Sequence, residues 1–180
     1  MIETERLTLR PFRPEDADRF VALHADDRVN AFVGTYTLET ARDRLRLSER
    51  QWAERGHGIL AVHRRSDDAF LGRCGLTHWE AFGETEIGWT LSAESWGHGY
   101  ATEAARACLD WAFGAGALGV PYITAMIHPG NTASARVAAR LGFSRLRDDT
   151  LMDRGVTVYA LHALDRPAAD AAGTAGTAGA

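Results

Sequence analysis

The stretch that most limits what this chain can fold into runs from Glu84 to Phe113. Glu84-Thr85-Glu86-Ile87-Gly88-Trp89-Thr90-Leu91 alternates in polarity as a half-buried strand does. Trp96-Gly97-His98-Gly99 follows. Tyr100 to Phe113 then sets Ala101, Ala104, Ala105, Cys108, Leu109 and Ala112 at helical spacing, the pattern of a helix lying close against its neighbours. A strand, two near-adjacent glycines and a helix start leave backbone N–H groups unpaired at the positive end of the helix dipole. With no β-carbon in the way a phosphate can approach that backbone, although a tight turn that needs glycine is spelled the same way.

Several chemistries are excluded at once. A dinucleotide fingerprint needs glycine where Thr102 stands and an acid about 20 residues further on, yet no Asp or Glu lies between Asp110 and Asp148. No serine stands in a GxSxG frame, which removes the hydrolase elbow. All 20 basic residues are arginine, so there is no phosphate-loop lysine and no lysine for a Schiff base. Cys74 and Cys108, with no CxxC, read as small buried side chains in a reducing cytoplasm, and nothing has metal-ligand spacing. A net charge of −4 argues against a nucleic-acid coat, so no direct nucleic-acid partner is expected. The opening MIETERLTLR has no signal-peptide core. The longest uncharged stretch, Trp111 to Ala135, is broken by Gly114, Gly116, Gly119, Pro121, Pro129 and Gly130 before it can span a membrane. A cytoplasmic protein with no membrane partner is expected.

The rest of the chain supplies an α/β (α+β) set of elements. Residues 5–12 alternate as a strand, and Pro14-Glu15-Asp16 opens a helix through His24. A second helix covers 38–55, with Leu38, Ala41, Leu45, Ser48 and Trp52 inward and Arg42, Asp43, Arg46, Glu49, Arg50 and Glu54 outward. Residues 59–64, 70–79 and 84–91 form an antiparallel meander. A strand at 120–127, a helix at 132–141 stopped by Gly142, and strands at 143–146 and 156–161 complete one domain, 1–167. The Ala/Gly/Thr run 168–180 has almost nothing bulky to bury and reads as a disordered tail.

WGHGYATEA at 96–104 and PYITAMIHPGNTASARVAARLGF at 121–143 resemble the acyl-CoA-binding core of the GNAT N-acetyltransferases, and more narrowly their RimJ/RimL-like branch. The opening ETERLTLRPFRPEDADRF and the strand EIGWTL fit the same branch, so the resemblance covers roughly 3–163. It implies a mixed, mostly antiparallel central sheet flanked by helices, whose splayed central strands, here about 84–91 and 120–127, bind acyl-CoA. It also implies acetyl-CoA as acyl donor and an amine acceptor as partner, with no metal. The pyrophosphate role falls on the backbone of Gly97, His98, Gly99, Tyr100 and Ala101, with Thr102 at the helix entrance. Trp96 departs from the family pattern, which has Gln or Arg there. Trp89, Thr90 and Leu91 become the strand edge along the pantetheine arm, the Trp89 amide polarises the thioester carbonyl, and Asn131 hydrogen-bonds the arm.

For chemistry, Glu86 resembles the strand glutamate that many members use as a base through water, or it fixes the strand by a hydrogen bond. The tyrosine that many members place seven residues after the asparagine is Ala138 here. Ser134, three after it, takes the position from which RimJ/RimL relatives offer a hydroxyl to the leaving sulfur; its other reading is a helix-start serine satisfying local backbone. His78, Trp79, Phe82 and His128, at strand ends, are candidates for the acceptor side. The implied activity is acetyl transfer to a primary amine by direct attack, with a protein N-terminus as one acceptor. A small amine, a succinyl or other acyl donor, and a non-catalytic acyl-CoA sensor are the alternatives, and exposed strand edges leave room for a homodimer.

Overall fold

The computed structural model describes residues 1–116 and 118–165; the expected tail, 168–180, lies outside them. Eight strands form one sheet: β1 (Ile2–Glu3), β2 (Leu7–Pro11), β3 (Ile59–Arg64), β4 (Phe70–Trp79), β5 (Glu84–Leu91), β6 (Tyr122–Ile127), β7 (Ser144–Leu151) and β8 (Arg154–His162). Their order across the sheet is β1-β2-β3-β4-β5-β6-β8-β7. Every neighbouring pair is antiparallel except β5 and β6, which are parallel. The helices are α1 (Ala17–Ala25), α2 (Asp27–Val33), α3 (Leu38–Arg55), α4 (Tyr100–Phe113) and α5 (Thr132–Arg140). This is the mixed, mostly antiparallel, helix-flanked sheet that the resemblance implied.

The strand period of two sorts side chains into two cores. Leu60 and Val62 of β3 join Leu7, Leu9, Leu76, Ile87 and the small face of α4, Ala104, Ala105 and Cys108. Ile59 and Ala61 turn the other way and meet Phe12, Ala17, Phe20, Ala41 and Leu45 beneath α1 and α3. Cys74 and Cys108, distant in sequence, lie side by side and buried as free thiols, with the sulfurs 3.8 Å apart.

Four expectations need correction. Asp27–Val33 is a helix that periodicity passes over, because seven residues hold too few repeats; its signals are Asp26, whose side chain caps Arg28 N–H, and Gly34 at φ 76° past its end. Leu38, the first residue of α3, is 37% exposed rather than inward. The strand expected at 143–146 runs to Leu151 and turns at Met152–Asp153 into β8. Its charged spelling, SRLRDDTL, suits the sheet margin, where one side of the ladder faces solvent. Finally, β6 begins at Tyr122 rather than residue 120. Among the described residues no helix is long and apolar enough to cross a membrane.

Candidate active site

The site is set by where the one parallel pair comes apart. β5 and β6 match only at Glu86 and Thr124. The helices that follow them, α4 and α5, both start at the opening, so two helix N-termini converge on one gap, as happens where neighbouring strands of a sheet diverge. The gap leads into a cleft of ≈ 1070 Å³ lined by Trp89, Thr90 and Leu91, by Gly97, Gly99, Tyr100, Ala101 and Thr102, and by Asn131 and Ser134.

Its walls are suited to an anionic, extended ligand. Gly97 and Gly99 sit at φ 79° and 81°, in the left-handed region that side chains resist. Gly99 caps α4 without offering a side chain, which leaves the first N–H groups of the helix for another acceptor. Arg6 fixes this loop: it donates to the His98 carbonyl (3.0 Å) and pairs with Glu103, whose carboxylate also takes the Thr4 hydroxyl. Glu103 is therefore a structural anchor, held below the usual carboxylate range by its Thr4 and Arg6 hydrogen bonds against the opposing cost of burial. Along the β5 edge the Thr90 hydroxyl is buried without a partner. The Trp96 indole donates to the Leu91 carbonyl (2.9 Å) while the ring stays 48% exposed at the cleft mouth. Arg28, Arg106, Arg136 and Arg140 line the same cleft. Orphan N–H groups, a lone hydroxyl and guanidinium groups around one groove fit a diphosphate-bearing acyl carrier.

At Asn131 the fold settles an orientation. The Asn131 side-chain oxygen accepts Ser134 N–H (3.0 Å) and caps α5, so its amide nitrogen is the end left for a ligand. It is the backbone N–H of Ser134, not its hydroxyl, that meets Asn131.

Across Trp89, Asn131 and Ser134 the cleft meets a smaller chamber of ≈ 160 Å³, lined by Phe32, Tyr36, Arg44, Arg73, Thr77, Trp79, Glu86, Gly88, Met126 and His128 among others. Glu86 stands at the point of the strand divergence. Its Oε2 accepts the Trp79 indole N–H at 2.6 Å, and its Oε1 accepts Met126 N–H at 3.4 Å, in place of the sheet bond that β5 no longer supplies. Burial pushes its carboxyl above the usual range, against the pull of the indole, Arg73, the Met126 amide and Arg44. A carboxylate so raised, in contact with a cavity, suits proton abstraction. His128 accepts Gly130 N–H at Nδ1 (3.1 Å) and tilts against Phe32.

A cleft for an acyl carrier that opens onto a buried carboxylate, through strands diverging beside a glycine-capped helix, is the arrangement of one known family, whose Acetyltransferase (GNAT) domain matches residues 6–144. The chain belongs to the GNAT acetyltransferase family. It is an acyl-CoA-dependent acetyltransferase, and the fold that it shares uses acetyl-CoA. It is 34% identical over 163 residues to the uncharacterized protein YkkB of Bacillus subtilis (strain 168), covering 87% of this chain and 92% of that one. The crystal structure of the acetyltransferase from Agrobacterium tumefaciens str. C58 is similar at a TM-score of 0.79 and 33% identity, over 89% of this chain and 93% of the other. RimL, a ribosomal L7/L12 alpha-N-protein acetyltransferase in complex with coenzyme A, shares the fold at a TM-score of 0.72 and 16% identity, over 88% and 95%.

The geometry gathers most of the residues singled out in the sequence. Glu86, Trp79 and His128 line the chamber, Trp89, Asn131 and Ser134 the junction, and Thr90, Leu91, Gly97, Gly99, Tyr100, Ala101 and Thr102 the cleft. The loop residue His98 stacks its ring on Tyr100, centroids 5.6 Å apart. Two lie elsewhere. His78 faces a third cavity beside His57 and Tyr122, its ring against the Thr85 hydroxyl at 3.3 Å, because it alternates with Thr77 and Trp79 to the opposite face of β4. Phe82 sits in the turn between β4 and β5 and lines neither the cleft nor the chamber. Among the chamber residues that the sequence analysis does not single out are two whose side chains carry charge into it, Arg44 and Arg73. Each had a signal: Arg44 is three residues after Ala41 and four before Ser48 on the buried stripe of α3, and Arg73 is the one Asp/Glu/Lys/Arg residue in the ten of β4.

Proposed function

We propose that this acetyltransferase moves the acetyl group of acetyl-CoA to a primary α-amine, which attacks the thioester directly in a ternary complex. The carrying observation is the meeting, at Trp89, Asn131 and Ser134, of a cleft suited to the acyl carrier with a chamber floored by a buried carboxylate. The acceptor nitrogen forms a bond to the acetyl carbon, the carbon–sulfur bond breaks, and the amine proton passes to Glu86, directly or through one water. The sulfur leaves as a thiolate that the Ser134 hydroxyl stabilises by donating a hydrogen bond; the thiolate is protonated from solvent, to which Glu86 returns the proton it took. The amide of Trp89, on the part of β5 that has left β6, polarises the carbonyl.

In this reading Tyr100, Ala101 and Thr102 N–H groups and the loop 97–99 hold the diphosphate, with Arg106, Arg136 and Arg140 toward the remaining phosphate. Thr90 and the Asn131 amide meet the pantetheine arm. An α-amine suits a site with a single base: at a peptide N-terminus, near a pKa of about 7.8, it is roughly 14% neutral at pH 7, whereas a lysine near 10.4 is about 0.04% neutral; a free amino acid, whose carboxylate favours the ammonium form, leans more on the base. RimL, whose name records α-N-protein acetylation, lends support to an α-amine acceptor on a protein N-terminus; the small chamber lends support to a free small amine.

The experiment is thiol release from acetyl-CoA with α-amine acceptors and with a capped lysine peptide. Acceptor-dependent release with α-amines, lowered about 100-fold or more in kcat by Glu86→Gln with melting temperature retained, is the expected result. Release that prefers the capped lysine peptide, or a Glu86→Gln enzyme of unchanged kcat, overturns it.

A further inference from the structure

The chamber holds more positive charge than its walls satisfy. Arg44 reaches in from α3 and Arg73 from β4, and the carboxylate that faces them is Glu86, already accepting from Trp79 and Met126. Arg44 donates to the Thr77 hydroxyl at 2.9 Å and lies over the Trp79 ring, 5.6 Å from its centroid. Its Nη1 is buried with no hydrogen-bond partner, and so is Nε of Arg73. The other groups turned toward the pair are Tyr36, whose hydroxyl is within hydrogen-bonding reach of Arg44, and His24 on the buried face of α1, which burial and then the Arg73 charge keep neutral. Arg154, at the chamber wall, adds a third cation. Buried guanidinium groups are ordinarily paired, because leaving their donors empty forfeits hydration without return. Two that face one cavity with donors to spare make a receptor for a planar anion. Gly88 lets Arg73 lie close to the β5 backbone, since a β-carbon there would stand 3.4 Å from Arg73 Nη1.

We propose that the acceptor is a small amine carrying its own carboxylate, a free amino acid or close analogue, whose carboxylate is held by Arg44 and Arg73 while its amine faces Glu86. The inference rests on the acetyl-transfer reading above and names the substrate class within it. The anion belongs to the acceptor and not to a dicarboxylic acyl donor on steric grounds. Arg44 lies over the same indole that holds Glu86, and both arginines line the chamber with the base and not the cleft. A dicarboxylic acyl chain that reached them would enter the chamber of ≈ 160 Å³ in which the amine must also stand. A peptide N-terminus has an amide where this site offers two cations.

The test compares L-amino acids, their amides and N-terminally free peptides as acceptors of acetyl-CoA, with the amides also offered succinyl-CoA. Free amino acids should exceed their amides by 30-fold or more in kcat/KM. Arg44→Gln and Arg73→Gln should each raise the amino-acid KM at least tenfold, erase the preference over the amide and leave the KM for acetyl-CoA unchanged. Arg44→Lys, which keeps the charge and loses the planar fork, should recover part of it and guards against a variant that does not fold. In a second arm that needs no turnover, N-acetyl amino acids with CoA should raise the melting temperature of the wild type, their amides should not, and the Gln variants should lose the shift. Equal use of acids and amides, preference for peptides, or turnover of amides with succinyl-CoA alone each overturns the proposal while acetyl transfer stands. Absence of thiol release with every amine overturns the acetyl-transfer reading, and absence of a thermal shift with N-acetyl amino acids then overturns this one separately.

Discussion

The cleft and the chamber that meet at Trp89 and Ser134 are made of different materials. The cleft relies on backbone: two left-handed glycines, a helix start with no side-chain cap, and the free edge of β5, with arginines around it on exposed or half-exposed faces. The chamber relies on side chains from α3, β4, β5 and β6, and it draws charge inside: Glu86, Arg44 and Arg73, each half-buried, with Arg44 Nη1 and Arg73 Nε out of reach of solvent. A backbone site is set by local conformation and tolerates variation in its neighbours. A chamber of buried charges depends on every wall being in place, and the cost of an unmatched proton or charge falls on folding itself. The two regions should therefore fail in different ways when perturbed.

The largest separation is expected in acid. His24 packs on Phe20 and Tyr36 behind the chamber, and burial, then the charge of Arg73, lower its pKa to about 4 from 6.5. Since the folded value lies below the unfolded one, the unfolded chain binds the proton first. The stabilisation is complete above pH 6.5 and is lost as pH falls from there toward 4. Urea unfolding of the wild type and of His24→Phe at pH 7.5 and 4.5 should show the wild type losing on the order of 2–3 kcal/mol more than the variant. His57, also lowered to about 4, titrates in both proteins and cancels in the comparison. Equal losses in the two proteins would mean that the chamber wall is wetter than its geometry implies.

On the cleft side the matching change is Gly99→Ala. The position is at φ 81° and the nearest atom to an added β-carbon is the end of the Arg6 side chain, 3.5 Å away, so the cost is conformational and not steric. About 1–2 kcal/mol of left-handed strain, relieved by shifting the loop, should raise the KM for acetyl-CoA roughly tenfold. The KM for the acceptor and the acid stability should not move. A change in acceptor KM as large as that in acetyl-CoA KM would break the division between the two regions.

The same division governs what could be read from the chain. The cleft was legible because its parts are contiguous: Gly97 to Thr102 in one run, Asn131 to Ser134 in another, each spelled by local conformational need. The limits of β3, β4, β5, α3 and α4 followed from the same local rules. The chamber was legible only at Glu86, Trp79 and His128, where strand alternation puts a polar group on the site face or at a strand end. Arg44 was hidden because a helix of eighteen residues carrying many arginines gives no reason to single one out unless its position on the buried stripe is counted. His78 was misplaced by a single step of the strand period, which exchanges the chamber face of β4 for the other. α2, which brings Phe32 to both cavities, had only its cap and its stop to announce it.

The smallest expected effect tests the boundary itself. Ser134 lines both cavities, and its N–H is committed to capping α5 through Asn131. Ser134→Ala keeps that backbone bond and removes only the hydroxyl, so stability and acetyl-CoA affinity should be preserved. If the hydroxyl meets the departing sulfur, it acts when negative charge develops there and not in the ground state. Losing one such hydrogen bond, worth about 1 kcal/mol, should lower kcat about fivefold with KM for both substrates unchanged. The loss should shrink when the thioester is replaced by one with a more acidic thiol, which needs less help to leave. A fall confined to the KM for acetyl-CoA would instead make Ser134 part of the pantetheine wall, and would move the border of the chemistry from the junction to Glu86 alone.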